Sequence, residues 1–348
     1  MSLRLIANAL GLSVTTVSRA LADYSDVAEE TRARVRAEAA RIGYVPNAMA
    51  RRLQKGRTDA IGVSVPSGPG AMEDSYLYSA FVGAWSRLSE LGLDLVLLPS
   101  GDDTAGTVPE GKASEAFQRA VDERRVDGVV LVRALRADAR IAAMQRAGLP
   151  FVALAAEMRH APEVTAIGTD EAAAAEAIVE RLHGFGHGEI TCIGPAGGYD
   201  FALTRLEYME AAAARRSMRF RAVTSYLSED GGRQATERLI ADGGVPSALV
   251  FLTNRMTLGG LTALAASRWV VGRHVSVVSF GDSASLRNGT PATTAIQAPM
   301  FDMARHAIDA LVAMRDRRPI EAQRRWPVTL VARQSDGPRF AHDGDERH

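Results

Sequence analysis

Residues 13–19 read SVTTVSR, side-chain types that suit contact with the groove of a nucleic acid. If the chain is helical from residue 14, then Val14, Thr15, Ser18 and Arg19 share an outer face while Val17, Ala20 and Leu21 point inward. A face kept outside only for solubility would carry Glu and Lys. This one carries small groups and a single guanidinium, so the helix can sink into a major groove. There Arg19 can make a bidentate contact to guanine, Thr15 a hydroxyl contact to a base edge, and Val14 a methyl contact to thymine. Ser13 and Thr16 lie nearer the positive N-terminal end of the helix, where phosphate contacts are favoured.

The surrounding sequence supplies the elements that such a face needs. Leu3, Ile6, Ala7 and Leu10 repeat at helical spacing, Gly11 stops that helix, and Ser13 caps the next. Two short helices joined by GLS make a helix-turn-helix. A third helix is predicted over Glu29–Ile42, with Val35, Ala39 and Ile42 closing a small core and Glu29 and Glu30 favouring its dipole. Ala28 stands where a capping hydroxyl is expected, a cost of about 1 kcal/mol. GYVPNAMARRLQKGR follows, in which Pro46 suits a first helical position and Gly56 a stop. Met49, Ala50 and Leu53 share a face ringed by Arg51, Arg52 and Lys55. This is either a linker helix capping a core or a hinge helix whose Leu53 wedges into a minor-groove base step. So short a helix is marginal alone, so the hinge should form only beside its twin and DNA.

Charge agrees with a polyanion partner. The 348 residues sum to zero, yet residues 1–57 hold ten basic and five acidic side chains, +5, leaving −5 for the remainder. The length implies two or three units, and 47% hydrophobic with 24% charged residues is the mix of a globular protein. No run approaches the roughly 18 apolar residues of a membrane span, and MSLRLIANALGL is no secretory leader, so the expected compartment is the cytoplasm. The single cysteine, Cys192, reads as a buried strand residue. Seven scattered His give no metal-ligand spacing; His183 and His187 are separated by Gly184 and Gly186. GFGHGE precedes a strand and is no nucleotide fingerprint. Neither a cofactor nor a metal is expected, and no nucleophile or paired carboxylates point to an enzyme.

From residue 58 onward, short apolar runs (AIGVSVP, LDLVLLP, GVVLV, PFVAL, EITCIGP, ALVFL, SVVSF) alternate with helical patterns. Such repetition predicts an α/β body of parallel sheets covered by helices.

LIANALGLSVTTVSRAL, ETRARV and GYVPNAMARRL resemble the headpiece and hinge of the lac repressor (LacI/GalR) family. The likeness continues through IGVSVP, VDGVVLV, GFGHGEITCIGP, RLEYMEAA, SALVFLTNRMTLGGLTAL and VSVVSFGD, covering residues 3 to about 333. The headpiece and GPAGGYDFALTRLEYMEAA resemble repressors of alpha-glucoside utilisation operons. The resemblance implies a homodimer on a pseudo-palindromic double-stranded operator. Val14, Thr15 and Arg19 would read bases, Asn47 and Ala50 would be hinge contacts, and Leu53 the intercalating wedge. It also implies a two-lobed body like the periplasmic sugar-binding proteins, with lobes of about 59–158 plus 292–322 and 159–290 plus 323–335. A ligand would lie in the crevice beyond the carboxyl ends of the strands. Ser67, Tyr199 to Phe201, Arg205, Asn254 and Asp282 follow strands there, and Arg205 matches the family's effector-binding arginine. Three positions depart from the family pattern: Ala155, Asn254 in TNRMTLG, and Gly281 in FGD. Fewer carboxylates weaken the case for a sugar effector and raise that for a less hydroxylated or anionic one.

The sequence therefore predicts a helix-turn-helix domain (residues 1–45), a hinge helix (46–57), an effector-binding and dimerisation domain (58–335) and a polar tail (336–348). The expected function is a repressor of a carbohydrate-utilisation operon; the alternative is an activator or corepressor-type regulator with a non-sugar effector. The tail lacks apolar heptads, so a dimer is expected. A solute-binding protein without DNA function is disfavoured by the headpiece.

Overall fold

The computed structural model describes residues 3–44, 56–66, 74–100, 112–155, 157–242 and 245–340. The expected hinge contacts Asn47, Ala50 and Leu53 lie outside the described residues, as do Ser67 and residues 341–348. The chain divides into two compact units, Met1–Asp59 and Ala60–His348.

The first unit holds helices α1 (Leu3–Leu10), α2 (Val14–Leu21) and α3 (Glu29–Arg41). Ile6, Ala7, Val17, Ala20, Val27, Val35 and Ala39 form its core, which is why the apolar spacing in the three segments interlocks. Ser13 caps α2 by accepting from the Thr16 N–H at 3.0 Å. Ala28 makes no side-chain cap to α3, as expected, and Glu29 and Glu30 occupy its first turn.

The second unit contains two six-stranded sheets. The first runs β11-β5-β4-β3-β1-β2, from β1 (Ala60–Val65), β2 (Asp94–Pro99), β3 (Val129–Val132), β4 (Phe151–Leu154), β5 (Ala166–Thr169) and β11 (Gln323–Trp326), all parallel. Its central strands β3 (VVLV) and β4 (FVAL) are wholly apolar runs because helices cover both faces. Val130 and Val132 face α4 (Ser75–Leu91) and α12 (Met300–Arg315), while Val129 and Leu131 face α5 (Glu115–Asp122) and α6 (Ala139–Ala147). α4 and α12 approach so closely at Gly83 that a Cβ there would lie 2.2 Å from the Phe301 carbonyl oxygen.

The second sheet runs β12-β10-β9-β8-β6-β7, from β6 (Glu189–Pro195), β7 (Arg219–Ser225), β8 (Ala248–Phe251), β9 (Ser276–Phe280), β10 (Thr294–Gln297) and β12 (Thr329–Val331). Its strands are parallel except β12, which is antiparallel to β10. One face packs on α7 (Glu171–Gly184) and α8 (Asp200–Arg215), with Cys192 fully buried there. The other packs on α9 (Glu229–Ala241) and α10 (Asn254–Ala265). No helix among the described residues is long and apolar enough to cross a membrane.

Strand pairing corrects the expected lobe boundaries. β5 and β11 join the first sheet, not the second, and β10 joins the second, not the first. The chain passes between sheets after β5, after β10 and after β11, and short runs such as AIGT carry no mark of which sheet will accept them. The expected polar tail also needs correction. Ser335 exchanges hydrogen bonds with Val277, and the buried Asp336 pairs with Arg181 and accepts from the Thr294 hydroxyl. Residues 335–337 are therefore structural.

Candidate functional site

In the first unit, α2 presents the face expected from the sequence: Val14, Thr15 and Arg19 are exposed, and Thr16 and Ser18 partly so. The Ser13 and Thr16 hydroxyls lie 2.8 Å apart, which fixes both at the helix N-terminus. Arg19 is not free. It forms an ion pair with Asp26, and its guanidinium sits 5.0 Å from the centre of the Tyr24 ring. Both partners belong to the α2–α3 turn, which Arg32 ties down by donating to the Tyr24 carbonyl at 3.0 Å.

In the second unit, a cleft with about 480 Å³ of empty space, counting its open mouth, lies at the carboxyl ends of both sheets. The first lobe contributes Asp74 and Tyr76 from the start of α4, Arg133 after β3 and Ala155 after β4. The second contributes Phe201 and Arg205 from α8, Leu227 after β7, Thr253 and Asn254 at the start of α10, and Phe280 with Gly281 at the end of β9. Parallel topology explains the gathering, since every strand delivers its following loop to the same end. Three of these loop residues have left-handed backbones: Arg133 (φ 52°), Ala155 (φ 61°) and Gly281 (φ 97°). Such strain gathers at ligand sites, and at Gly281 it makes any side chain costly.

The charged groups of the cleft are paired. Arg133 donates to Asp74 at 2.7 Å, both nearly buried. Arg205 donates to Glu171 through Nε (2.9 Å) and Nη2 (2.8 Å), and to the Leu252 carbonyl through Nη1 (2.7 Å). Burial opposes the Arg205 charge, but the Glu171 carboxylate more than offsets it, holding the guanidinium pKa above its usual value. Burial pushes the Tyr76 phenol up, so that it stays a donor. Asn254 donates to the Ser75 hydroxyl at 2.8 Å, a direct bond between lobes.

A second set of contacts joins the lobes beside Phe201. Asp200 accepts from the backbone N–H groups of Glu157 (3.2 Å) and Met158 (3.3 Å), and its own N–H donates to the Ala134 carbonyl at 2.9 Å. Arg136 and Arg159 reach Glu207 at 2.7 and 3.1 Å.

Of the expected effector residues, the structure brings Phe201, Arg205 and Asn254 to the cleft, with Ala155 and Gly281 beside them. Tyr199 lies buried behind, its ring 5.7 Å from that of Phe201. Asp282 does not join them. Its carboxylate accepts from Arg333 at 3.1 and 2.7 Å and from the Ser283 N–H at 2.9 Å, so it anchors the C-terminal segment. Sequence reasoning missed Asp74, Tyr76, Arg133 and Glu171. Arg133 directly after VVLV, and Glu171 opening an alanine-rich helix, were the available signals.

Known proteins match both units. Residues 2–47 match the bacterial regulatory proteins of the lacI family, and residues 179–335 a periplasmic binding protein-like domain. The chain is 37% identical over 206 residues to the HTH-type transcriptional regulator RafR of Escherichia coli, spanning 59% of this chain and 58% of that protein. The crystal structure of the lac repressor dimer bound to operator and the anti-inducer ONPF is 24% identical, with a TM-score of 0.81 over 97% of this chain and 99% of that one. A complex of transcriptional regulator CelR with cellobiose is 24% identical, with a TM-score of 0.71 over 96% of this chain and 99% of that one. At this identity the two structures show the shared fold. The chain therefore carries a lacI-family regulatory domain at its N-terminus and a periplasmic binding protein-like domain after it.

Proposed function

We propose that the chain is a cytoplasmic repressor of a carbohydrate-utilisation operon, acting as a homodimer on a pseudo-palindromic operator. A hydroxylated small molecule, a sugar, binds in the cleft and changes operator affinity. Val14, Thr15 and Arg19 read base edges in the major groove. Ser18 lies on the same groove-facing side, Ser13 and Thr16 meet the backbone, and Asn47, Ala50 and Leu53 act in the minor groove. The observation that carries the ligand reading is the cleft itself, where aromatic rings (Phe201, Phe280) stand beside hydrogen-bonding groups (Tyr76, Arg205, Asn254) from both lobes. Apolar ring faces with a few fixed polar groups suit a sugar, whose C–H face and hydroxyls need both. CelR, of the same fold, binds cellobiose. Because the lining comes from both lobes, a ligand that favours one lobe arrangement shifts the population of the DNA-competent state. Thermal melting of the purified protein against a panel of mono- and disaccharides tests this, since a ligand specific to the folded state raises the melting temperature. A rise that Arg205→Gln abolishes supports the site; no rise with any sugar counts against it.

A further inference from the structure

Arg205 reaches the cleft with most of its donors engaged. Of its five N–H groups, two donate to Glu171 and one to the Leu252 carbonyl, which leaves two for a ligand. Phe201 and Phe280 lie 5.0 and 4.9 Å from its guanidinium carbon, so the remaining N–H groups offer the accessible polar edge. Glu171 does not line the cleft; it stands behind Arg205, buried, with its carboxylate fixed by the Thr169 hydroxyl at 2.7 Å.

This arrangement discriminates by charge. A ligand hydroxyl accepts from Arg205 without bringing a charge into the site. A ligand carboxylate or phosphate must lose its hydration, and its attraction to Arg205 is opposed by the Glu171 carboxylate directly behind. The other arginine in the wall, Arg133, also arrives neutralised, by Asp74 at 2.7 Å. We propose that Glu171 is a specificity-determining residue: by neutralising Arg205 from behind, it confines the cleft to uncharged hydroxylated ligands and excludes acidic sugars. This rests on the effector site proposed above. It also answers the question left by Ala155 and Gly281, since fewer carboxylates in the wall need not mean an anionic ligand.

The test uses the full chain and matched probes: galactose against galacturonic acid, glucose against glucuronic acid, and cellobiose against cellobionic acid, each titrated calorimetrically. Wild type should bind the neutral member of a pair at least about tenfold more tightly. Glu171→Gln, which keeps the side-chain shape and frees the guanidinium charge, should shift that ratio toward the acid by about tenfold or more. Glu171→Asp, which keeps the charge, should retain the wild-type preference; this variant and the wild-type ratio decide the matter if Glu171→Gln fails to fold. A wild-type preference for the acid, or a Glu171→Gln ratio equal to wild type, would overturn the role of Glu171 while leaving the cleft as effector site. Binding of no probe by wild type or either variant would overturn the site, and the proposal with it.

Discussion

Arg19 shows how much one residue is asked to do and how its neighbours prepare it. The sequence exposes it on a face of small side chains, and the structure adds that Asp26 and Tyr24 hold its guanidinium at the end of α2. A held arginine loses less conformational freedom when it meets a planar base edge. Arg19→Ala should weaken selected-operator binding by about 1–3 kcal/mol, roughly 5- to 150-fold, with a much smaller loss on random duplex. Competition titrations measure both, and equal losses would reduce Arg19 to a phosphate contact. Asp282 teaches the opposite lesson. It follows a strand at the right end of the sheet, yet its bonds to Arg333 turn it away from ligand chemistry. Asp282→Ala, which strands a mostly buried guanidinium, should cost about 3 kcal/mol in chemical denaturation. Sugar affinity should not change, and a selective loss of it would return Asp282 to the site.

At the scale of elements, α8 connects the cleft to the lobe junction. DFALTRLEYMEAA reads as a helix from its periodicity, and the structure forms one over Asp200–Arg215. Its first residue matters. Asp200 fastens the start of the helix to the backbone of Glu157 and Met158 in the other lobe, one residue before Phe201 and five before Arg205. Its side chain shares the helix with the cleft residues but faces the junction. Asp200→Ala removes a charged acceptor from two N–H groups, so sugar binding should weaken by about tenfold because closing the lobes becomes less favourable. Isothermal titration gives the number, and unchanged affinity would show that the junction does not contribute to closure. The elements were legible where apolar periodicity was strong, in α1, α2 and the inner strands. They were not legible where pairing across sheets decides membership, as for β5, β10 and β11.

For the whole molecule, fold class and the exposed face of α2 were written in sequence periodicity, while half of the cleft was not, because Asp74, Tyr76 and Arg133 acquire meaning only once two sheets are closed together. The exposed Tyr78 and Trp85, seven residues apart on α4, and Phe301 on the adjoining α12 form an apolar face that would suit the second copy of the proposed homodimer. If the proposed homodimer uses this face, Trp85→Lys should yield monomer in sedimentation and lower operator affinity with it. Stability should also depend on pH through His187, whose ring bonds to Ser247, Ser276 and the Gly337 carbonyl. Burial lowers its pKa below the usual 6.5, so as pH falls past that value the unfolded chain takes up a proton that the folded chain refuses, and stability declines. His187→Gln should flatten that decline between about pH 7 and 5 in thermal melts. The central claim is that a sugar in the cleft controls DNA binding. Its most direct measurement is the operator affinity of the full chain, by fluorescence anisotropy on a duplex selected from random sequence, with and without the sugar that raises the melting temperature. Saturating sugar should change wild-type affinity by about 5- to 150-fold and leave Arg205→Gln unchanged; equal wild-type affinities with and without bound sugar would contradict a ligand-controlled regulator.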